Sequence, residues 1–224
     1  MERVEIGIAT LYHADCLELQ YALEEASAVI ADPPYGIDLN GMSGTCRSRY
    51  VKAADEYLVE GDDKPFDPAP WLEHEKVILW GGNHFASRLP DARNWIVWDK
   101  REGTTPDNQA DCEMAWTNLP GPARIHRQLW RGMCRRGEEN MSRQQRLHPT
   151  QKPVGLMAFC IQQCRLDLGS IIADPYMGSG TTGVAAVRLG YKFIGVEISR
   201  RHFDTACKRI EVEQVQNKLP LAAP

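Results

Sequence analysis

No run in the 224-residue chain approaches the roughly 18 to 20 uninterrupted apolar positions of a membrane-spanning helix, and the start, Met1-Glu2-Arg3-Val4-Glu5, lacks a signal peptide's basic segment and apolar run. Both absences predict a cytoplasmic protein with no membrane partner. There is no CxxC pair either. Seven cysteines at irregular spacing (Cys16, Cys46, Cys112, Cys134, Cys160, Cys164, Cys207) suit neither a disulfide framework nor a zinc knuckle, so they read as buried or incidental thiols and no metal is expected. A surplus of positive charge is missing: the net charge of −4 argues against indiscriminate adhesion to a polyanion. Missing too is a glycine-rich loop ending in Gly-Lys-Ser or Gly-Lys-Thr, so nothing is placed to neutralise the β- and γ-phosphates of a nucleoside triphosphate. No self-similarity with a period of roughly 20 to 50 residues is present, which removes the solenoid and propeller architectures.

What is present is enough apolar material, 43% of residues, to bury one core in one domain spanning 1–224. Short β-branched runs alternate with segments of helical period, the signature of an α/β fold with a mostly parallel central sheet and helices on both faces. Six or seven strands are predicted. Ala28-Val29-Ile30-Ala31 runs into Asp32-Pro33-Pro34-Tyr35, where two prolines must end the strand. Lys76 to Trp80 is a strand followed by Gly81-Gly82-Asn83-His84-Phe85, read as a turn and a helix N-cap; Asn94 to Asp99 and Asp111 to Thr117 are further strands. The clearest unit is a βαβ: a strand over 170–173, the turn Asp174 to Thr182, a helix from Gly183 to Leu189 stopped by Gly190, and a strand from Tyr191 to Glu197. Ser199 then caps a final helix reaching about Val215, closing a segment, 170–215, that carries the cofactor chemistry. Residues 36 to 70 show no clear period and read as a long functional loop.

Two places carry chemistry. The turn Gly178-Ser179-Gly180-Thr181-Thr182 brings backbone N–H groups and a helix N-terminus close to a ligand. Nineteen residues beyond Gly178, Glu197 ends the next strand, where a carboxylate accepts hydrogen bonds from ribose hydroxyls. The ligand implied has a ribose and little phosphate. The second place is Asp32-Pro33-Pro34-Tyr35: Asp32 and the Pro33 carbonyl can both accept from one NH₂ group, and Tyr35 offers a face for a base to stack on. Two acceptors aligning an amine's hydrogens favour a tetrahedral nitrogen whose lone pair can attack a methyl sulfonium.

The chain resembles the amino-group DNA methyltransferases of the β arrangement, in which the catalytic strand end precedes the target-recognition region and the cofactor loop comes last. Asp15-Cys16-Leu17-Glu18 resembles the family's turn at the cofactor adenosine, Asp32 to Tyr35 its catalytic tetrapeptide, and Gly81-Gly82-Asn83 the element after the next strand. His148-Pro149-Thr150-Gln151-Lys152-Pro153 is similar to the element beside the methionine end of the cofactor, Asp174-Pro175 to Thr182 to the cofactor loop, and Glu197 to the ribose carboxylate. One departure is Tyr176-Met177, where the family often has phenylalanine after the proline. The resemblance implies a Rossmann-like methyltransferase fold and S-adenosyl-L-methionine as cofactor. Asp32, Pro33, Pro34 and Tyr35 are then catalytic. Asp15, Asp32, His148, Thr150, Gln151, Lys152, Asp174, Pro175, Gly178, Gly180, Thr181, Thr182 and Glu197 hold the cofactor.

In that light the basic segments become candidates for double-stranded DNA. From Arg124 to Arg146 the chain carries seven arginines against two glutamates, and Arg47, Arg49 and Lys52 form a second patch. Arg124, Arg127, Arg131, Arg135, Arg136 and Arg143 are expected phosphate or base contacts within a short recognition region, 120–147, which suggests a brief or relaxed recognition sequence. The target amine lies inside the duplex, so the base must be flipped out, and 36–65 is the expected loop over it. Aspartate as first residue of the tetrapeptide usually accompanies adenine, which favours N6-adenine over N4-cytosine as target. A homodimer and a cognate restriction endonuclease are carried as expectations from the family. A silent DNA-binding module and a nucleotide hydrolase are the competing classes; intact Asp32 and Tyr35 oppose the first, and the missing lysine opposes the second. His84 reads as capping or structural rather than as a base, and Trp80, Trp95, Trp98 and Trp116 as core.

Overall fold

The computed structural model describes residues 1–37, 60–103, 110–131, 134–136 and 151–218. Among these, a nine-stranded sheet forms the centre: β1 (Glu2–Ile6), β2 (Ala9–His13), β3 (Ala28–Ala31), β4 (Val77–Trp80), β5 (Asn94–Asp99), β6 (Cys112–Thr117), β7 (Arg124–Arg127), and, beyond a small hairpin of β8 (Trp130–Arg131) and β9 (Cys134–Arg135), β10 (Ile171–Asp174) and β11 (Lys192–Glu197). The helices are α1 (Gln20–Leu23), α2 (Ala69–Leu72), α3 (Val154–Gln163), α4 (Thr181–Arg188) and α5 (Arg200–Lys218). No helix among the described residues is long and apolar enough to cross a membrane.

The strand order is β1-β2-β11-β10-β3-β4-β6-β5-β7. Parallel pairing joins β2, β11, β10, β3 and β4, while β6 runs antiparallel to both β4 and β5. The sheet is therefore mostly parallel, as expected, but it holds more strands than the six or seven predicted. The unforeseen members are the edge hairpin β1–β2 and β7, which pairs in parallel with β5. Consequently the start of the expected recognition region, Arg124 to Arg127, is an edge strand of the main sheet.

Both faces of the central strands are covered, so β3 and β4 are buried at every position rather than alternately. Side chains still alternate in what they touch. Ala28 and Ile30 pack with Ile78 and Trp80 against α3, α4 and α5; Val29 and Ala31 pack with Val77 and Leu79 against Leu19, Leu23, Phe66 and Trp71 on the other face. Trp80, Trp98 and Trp116 lie in this core as expected, whereas Trp95 is only half-buried. α4 ends as its sequence dictates: Gly190, at φ +80°, donates to the Val187 carbonyl and Tyr191 to that of Ala186, the paired bonds of a glycine C-cap. The segment after Gly82 differs from expectation. It holds a single 3₁₀ turn (Ala86–Arg88) with no side-chain cap, so Asn83 and His84 begin no α-helix.

Topology locates the crevice. From β10 the chain crosses through α4 to β11 on one side, while β3 leads to β4 on the other. The connections thus leave the neighbouring strands β10 and β3 toward opposite sides of the sheet, and open α/β sheets bind ligands at such a point.

Candidate active site

Three strands end on carboxylates at this crevice: Asp32 directly after β3, Asp174 closing β10 and Glu197 closing β11. All three line one cavity of about 440 Å³, together with Asp15, Gln151, Lys152, the turn from Pro175 to Ser179, Thr181 and Thr182. That volume is typical of a small-molecule site.

Asp32 is fixed at both oxygens. Its Oδ1 accepts a 2.7 Å hydrogen bond from the Tyr35 hydroxyl, and its Oδ2 lies 2.6 Å from Lys152 Nζ. Lys152, only 4% exposed, also reaches Glu113 Oε2 at 3.0 Å and donates to the Tyr35 hydroxyl at 3.2 Å. An ammonium has three N–H donors, and protein groups take all three here. Burial opposes the charge on Lys152, but Asp32 and Glu113 outweigh it and hold the ammonium firmly protonated. Burial likewise raises the Asp32 carboxyl, with Lys152 pulling against it. The Tyr35 ring stacks on His84 with centroids 5.0 Å apart and a 14° tilt, so one face is covered rather than free.

Just beyond the tetrapeptide, Asp62 accepts from the backbone N–H of Gly36 at 2.9 Å and of Ile37 at 3.3 Å. Gly36, at φ +71°, has no room for a Cβ because the Lys64 carbonyl would lie 2.5 Å away. The chain leaving Tyr35 and the chain returning at Asp62 to Pro65 are thus locked together beside the cavity.

In the glycine turn, Glu197 accepts from Gly178 N and from Ser199 N, each at 2.8 Å, and Asp174 accepts from Tyr176 N at 3.0 Å and from the Thr182 hydroxyl at 2.6 Å. Arg209, reaching down from α5, donates to the Ser179 carbonyl at 2.7 Å, its hydroxyl at 2.9 Å and the Thr181 hydroxyl at 3.2 Å. Tyr176 uses the hydroxyl that phenylalanine would lack: it accepts a 3.3 Å bond from Trp71 Nε1, and the Tyr176 ring meets Phe66 and Trp71 edge-on. Asp15 caps a 3₁₀ turn (Cys16–Leu19) by accepting from Leu17 N.

The electrostatics define what fits. Burial pushes Asp174 up to about 7, with Asp32 and Glu197 adding repulsion, and burial pushes Glu197 up to about 7. Among the described residues the wall carries seven carboxylates and two lysines, and Lys152 is already engaged. Such a cavity gains by taking up positive charge and disfavours phosphate. Gln151 adds a buried amide whose oxygen and nitrogen both lack partners, a demand for a ligand with a donor and an acceptor side by side.

Most residues singled out from the sequence therefore converge: Asp15, Asp32 to Tyr35, Gln151, Lys152, Asp174, Pro175, Gly178, Thr181, Thr182 and Glu197 share the cavity. Gly180 lies behind it, under Ala206. Lys152 lines the cavity while its ammonium contacts Asp32, Glu113 and the Tyr35 hydroxyl. Arg124, Arg127 and Arg136 are exposed, but Arg127 lies 3.7 Å from Asp99 and Arg136 2.8 Å from Glu102, so two of the three already have acidic partners. Arg131 and Arg135 sit in the β8–β9 hairpin. Arg47, Arg49, Lys52, Arg143, Arg146, His148 and Thr150 lie outside the described residues. Unforeseen were Glu113, Asp62 and Arg209.

Fold and site together define a doubly wound α/β protein with an acidic nucleoside-type crevice beside a rigidly held carboxylate. The family model described as DNA methylase matches residues 123–208. The Type II methyltransferase M2.LlaDCHI of Lactococcus lactis subsp. cremoris is 37% identical over 248 residues, covering 90% of this chain and 89% of that protein. M2.DpnII of Streptococcus pneumoniae is 46% identical over 70 residues, 31% of this chain and 26% of that relative's length. Among solved structures, the M1.HpyAVI–SAM complex matches at TM-score 0.55 and 24% identity, covering 90% of this chain and 98% of that one. The cytosine-N4-specific PvuII DNA methyltransferase matches at 0.55 and 14%, covering 91% and 86%. The chain belongs to the N6/N4 amino-group DNA methyltransferases.

Proposed function

We propose that this protein transfers a methyl group from S-adenosylmethionine to the N6 amine of an adenine flipped out of duplex DNA. The observation that carries the reading is the Asp32 carboxylate, pinned by Tyr35 and Lys152 on the wall of the cavity that also holds Asp174, Glu197 and the unpaired Gln151 amide. The cavity suits S-adenosylmethionine on its own chemistry: a sulfonium matches the excess of carboxylates, and an amino-acid end offers Gln151 both a donor and an acceptor. Glu197 and Asp15 would hold the nucleoside, the Gly178 turn and Asp174 the centre, and Gln151 the methionine end. When bound, the cofactor supplies an electrophilic methyl group on sulfur.

The chain's own residues do the rest. Asp32 and the Pro33 carbonyl accept the two amine hydrogens and favour the lone pair on nitrogen. Tyr35, braced by His84 and by its bond to Asp32, is the surface against which the base lies. Position and electrostatics supply the acceleration, so no strong base is called for. Flipping costs a few kcal/mol, which contacts to the displaced strand offset. Arg124, with Arg127 and Arg136, is our candidate for phosphate contact; the Type II names of the two relatives support duplex DNA as substrate and a companion endonuclease. N4 of cytosine is the second reading, because it presents the same NH₂ to the same two acceptors; Asp32 as first residue of the tetrapeptide favours adenine.

Transfer of labelled methyl from S-adenosylmethionine to duplex DNA tests the proposal. Wild type should transfer, and Asp32→Asn should lose on the order of 10² to 10³ in rate. DNA binding without transfer by wild type would instead make the chain a silent module.

A further inference from the structure

Glu113 lies on β6, the strand antiparallel to both neighbours, directly opposite Trp98 on β5. It shares a face of the sheet with Ala115, the face covered by α3, and the chain enters α3 immediately after Lys152. Glu113 Oε2 lies 3.0 Å from Lys152 Nζ, and Oε1 lies 2.8 Å from Lys100 Nζ. Charges therefore alternate along one line: Asp32, Lys152, Glu113, Lys100. Two positive and two negative groups balance, and each close contact uses a different carboxylate oxygen. Among the described residues, the Trp80 and Tyr35 rings also flank Lys152, each with its centroid 5.7 Å from Nζ. Those rings offer no carboxylate. Without Glu113, the Lys152 ammonium would keep one anionic partner and a buried N–H with none.

We propose that Glu113 is a positioning residue of the methyl-transfer site, holding the Lys152 ammonium, and through it the Asp32 carboxylate, in the orientation that receives the substrate amine. The proposal rests on the reading of Asp32 as the group that meets the amine. Lys100 supports Glu113 from the more exposed end, and the two ammoniums together hold the Glu113 carboxyl down at about 2 against the upward push of burial, so it stays charged throughout the working range. Glu113 touches neither amine nor cofactor in this scheme. It acts through Lys152.

Two readouts test it in the full chain. The first needs no activity: reductive methylation of lysine amines with formaldehyde, followed by peptide mapping. Lys152 should be protected in wild type and modified several-fold faster in Glu113→Gln, whose neutral amide keeps the shape but not the charge. The second is single-turnover methyl transfer with cofactor affinity measured separately. Glu113→Gln should lose roughly tenfold to a hundredfold in rate while the S-adenosylmethionine Kd stays within about twofold, because the cofactor groups are untouched. Should Glu113→Gln fail to fold, Lys100→Met, at a partly exposed position, should give a smaller loss of rate with the same unchanged Kd. Wild-type rates and an equally protected Lys152 in both variants would overturn the proposal while leaving Asp32 in its role. Full activity of Asp32→Asn would overturn both.

Discussion

Replacing Gly81 by alanine asks whether Tyr35 is held where the reaction needs it. Gly81 follows β4 at φ +74°, and a Cβ there would lie 2.1 Å from Tyr35 Cε1 and 2.3 Å from Cδ1. The ring cannot simply step aside, because its hydroxyl is bonded to Asp32 and its face to His84. Alanine at a left-handed φ costs about 1 to 2 kcal/mol, and overpacking adds about 1 to 3 kcal/mol. For a domain of this size, roughly 2 to 4 °C per kcal/mol places the fall in Tm on the order of 4 to 20 °C. The contact must open by about 1 Å to become tolerable, and a 1 Å displacement in an active site costs about 10² in rate. Gly82→Ala is the control: its Cβ would press on Trp116 at 2.9 Å and on Trp95 at 3.1 Å, away from Tyr35. Thermal melts and single-turnover transfer, run well below both melting points, should show both variants destabilised but only Gly81→Ala slowed a hundredfold. Equal rates in the two would refute the argument.

Two further outcomes follow from the same geometry. Asp174 and Glu197 titrate near 7, above the ordinary 3.8 and 4.5, so between about pH 4 and 7 the folded chain holds protons that the unfolded chain releases. Stability of the free protein should therefore fall as pH rises through that window, seen in urea melts, while calorimetry should show S-adenosylmethionine binding more tightly from pH 6 to 8 as both acids ionise; a flat profile in both would contradict the assignment. Gly180→Ala should weaken cofactor binding on the order of tenfold, since the Cβ would lie 2.8 Å from Ala206 Cβ at a φ of +80°, whereas Gly178→Ala, at φ +51°, carries backbone strain but meets nothing closer than 4.0 Å and should cost less.

The βαβ unit from Ile171 to Glu197 was legible because each signal is local: two buried β-branched runs, glycines where φ must be positive, and an acid at a strand end. The β1–β2 hairpin was not. β1 reads Glu-Arg-Val-Glu-Ile and is mostly exposed, an edge strand whose charges discourage further pairing and hide its period from a search for apolar runs. Around the site, the tetrapeptide and the glycine turn announced themselves through prolines and glycines that force particular backbones. Glu113, Asp62 and Arg209 carried no such mark. Each acts across 25 or more residues of chain, on Lys152, Gly36 and Ser179, and only strand order and helix packing bring the partners together. Lys152 was found through its motif, but its contacts to Asp32 and Glu113 were not, because the carboxylate that completes its shell comes from a strand with no motif of its own.

Digestion of methylated duplex DNA to nucleosides, with the products separated by mass spectrometry, tests the central claim most directly. Incubation with the wild-type chain and S-adenosylmethionine should yield N6-methyladenosine in its deoxy form, and Asp32→Asn should form it on the order of 10² to 10³ more slowly. N4-methylcytosine as the product would contradict the adenine assignment, and an unmodified digest from the wild-type chain would contradict methyl transfer to DNA itself.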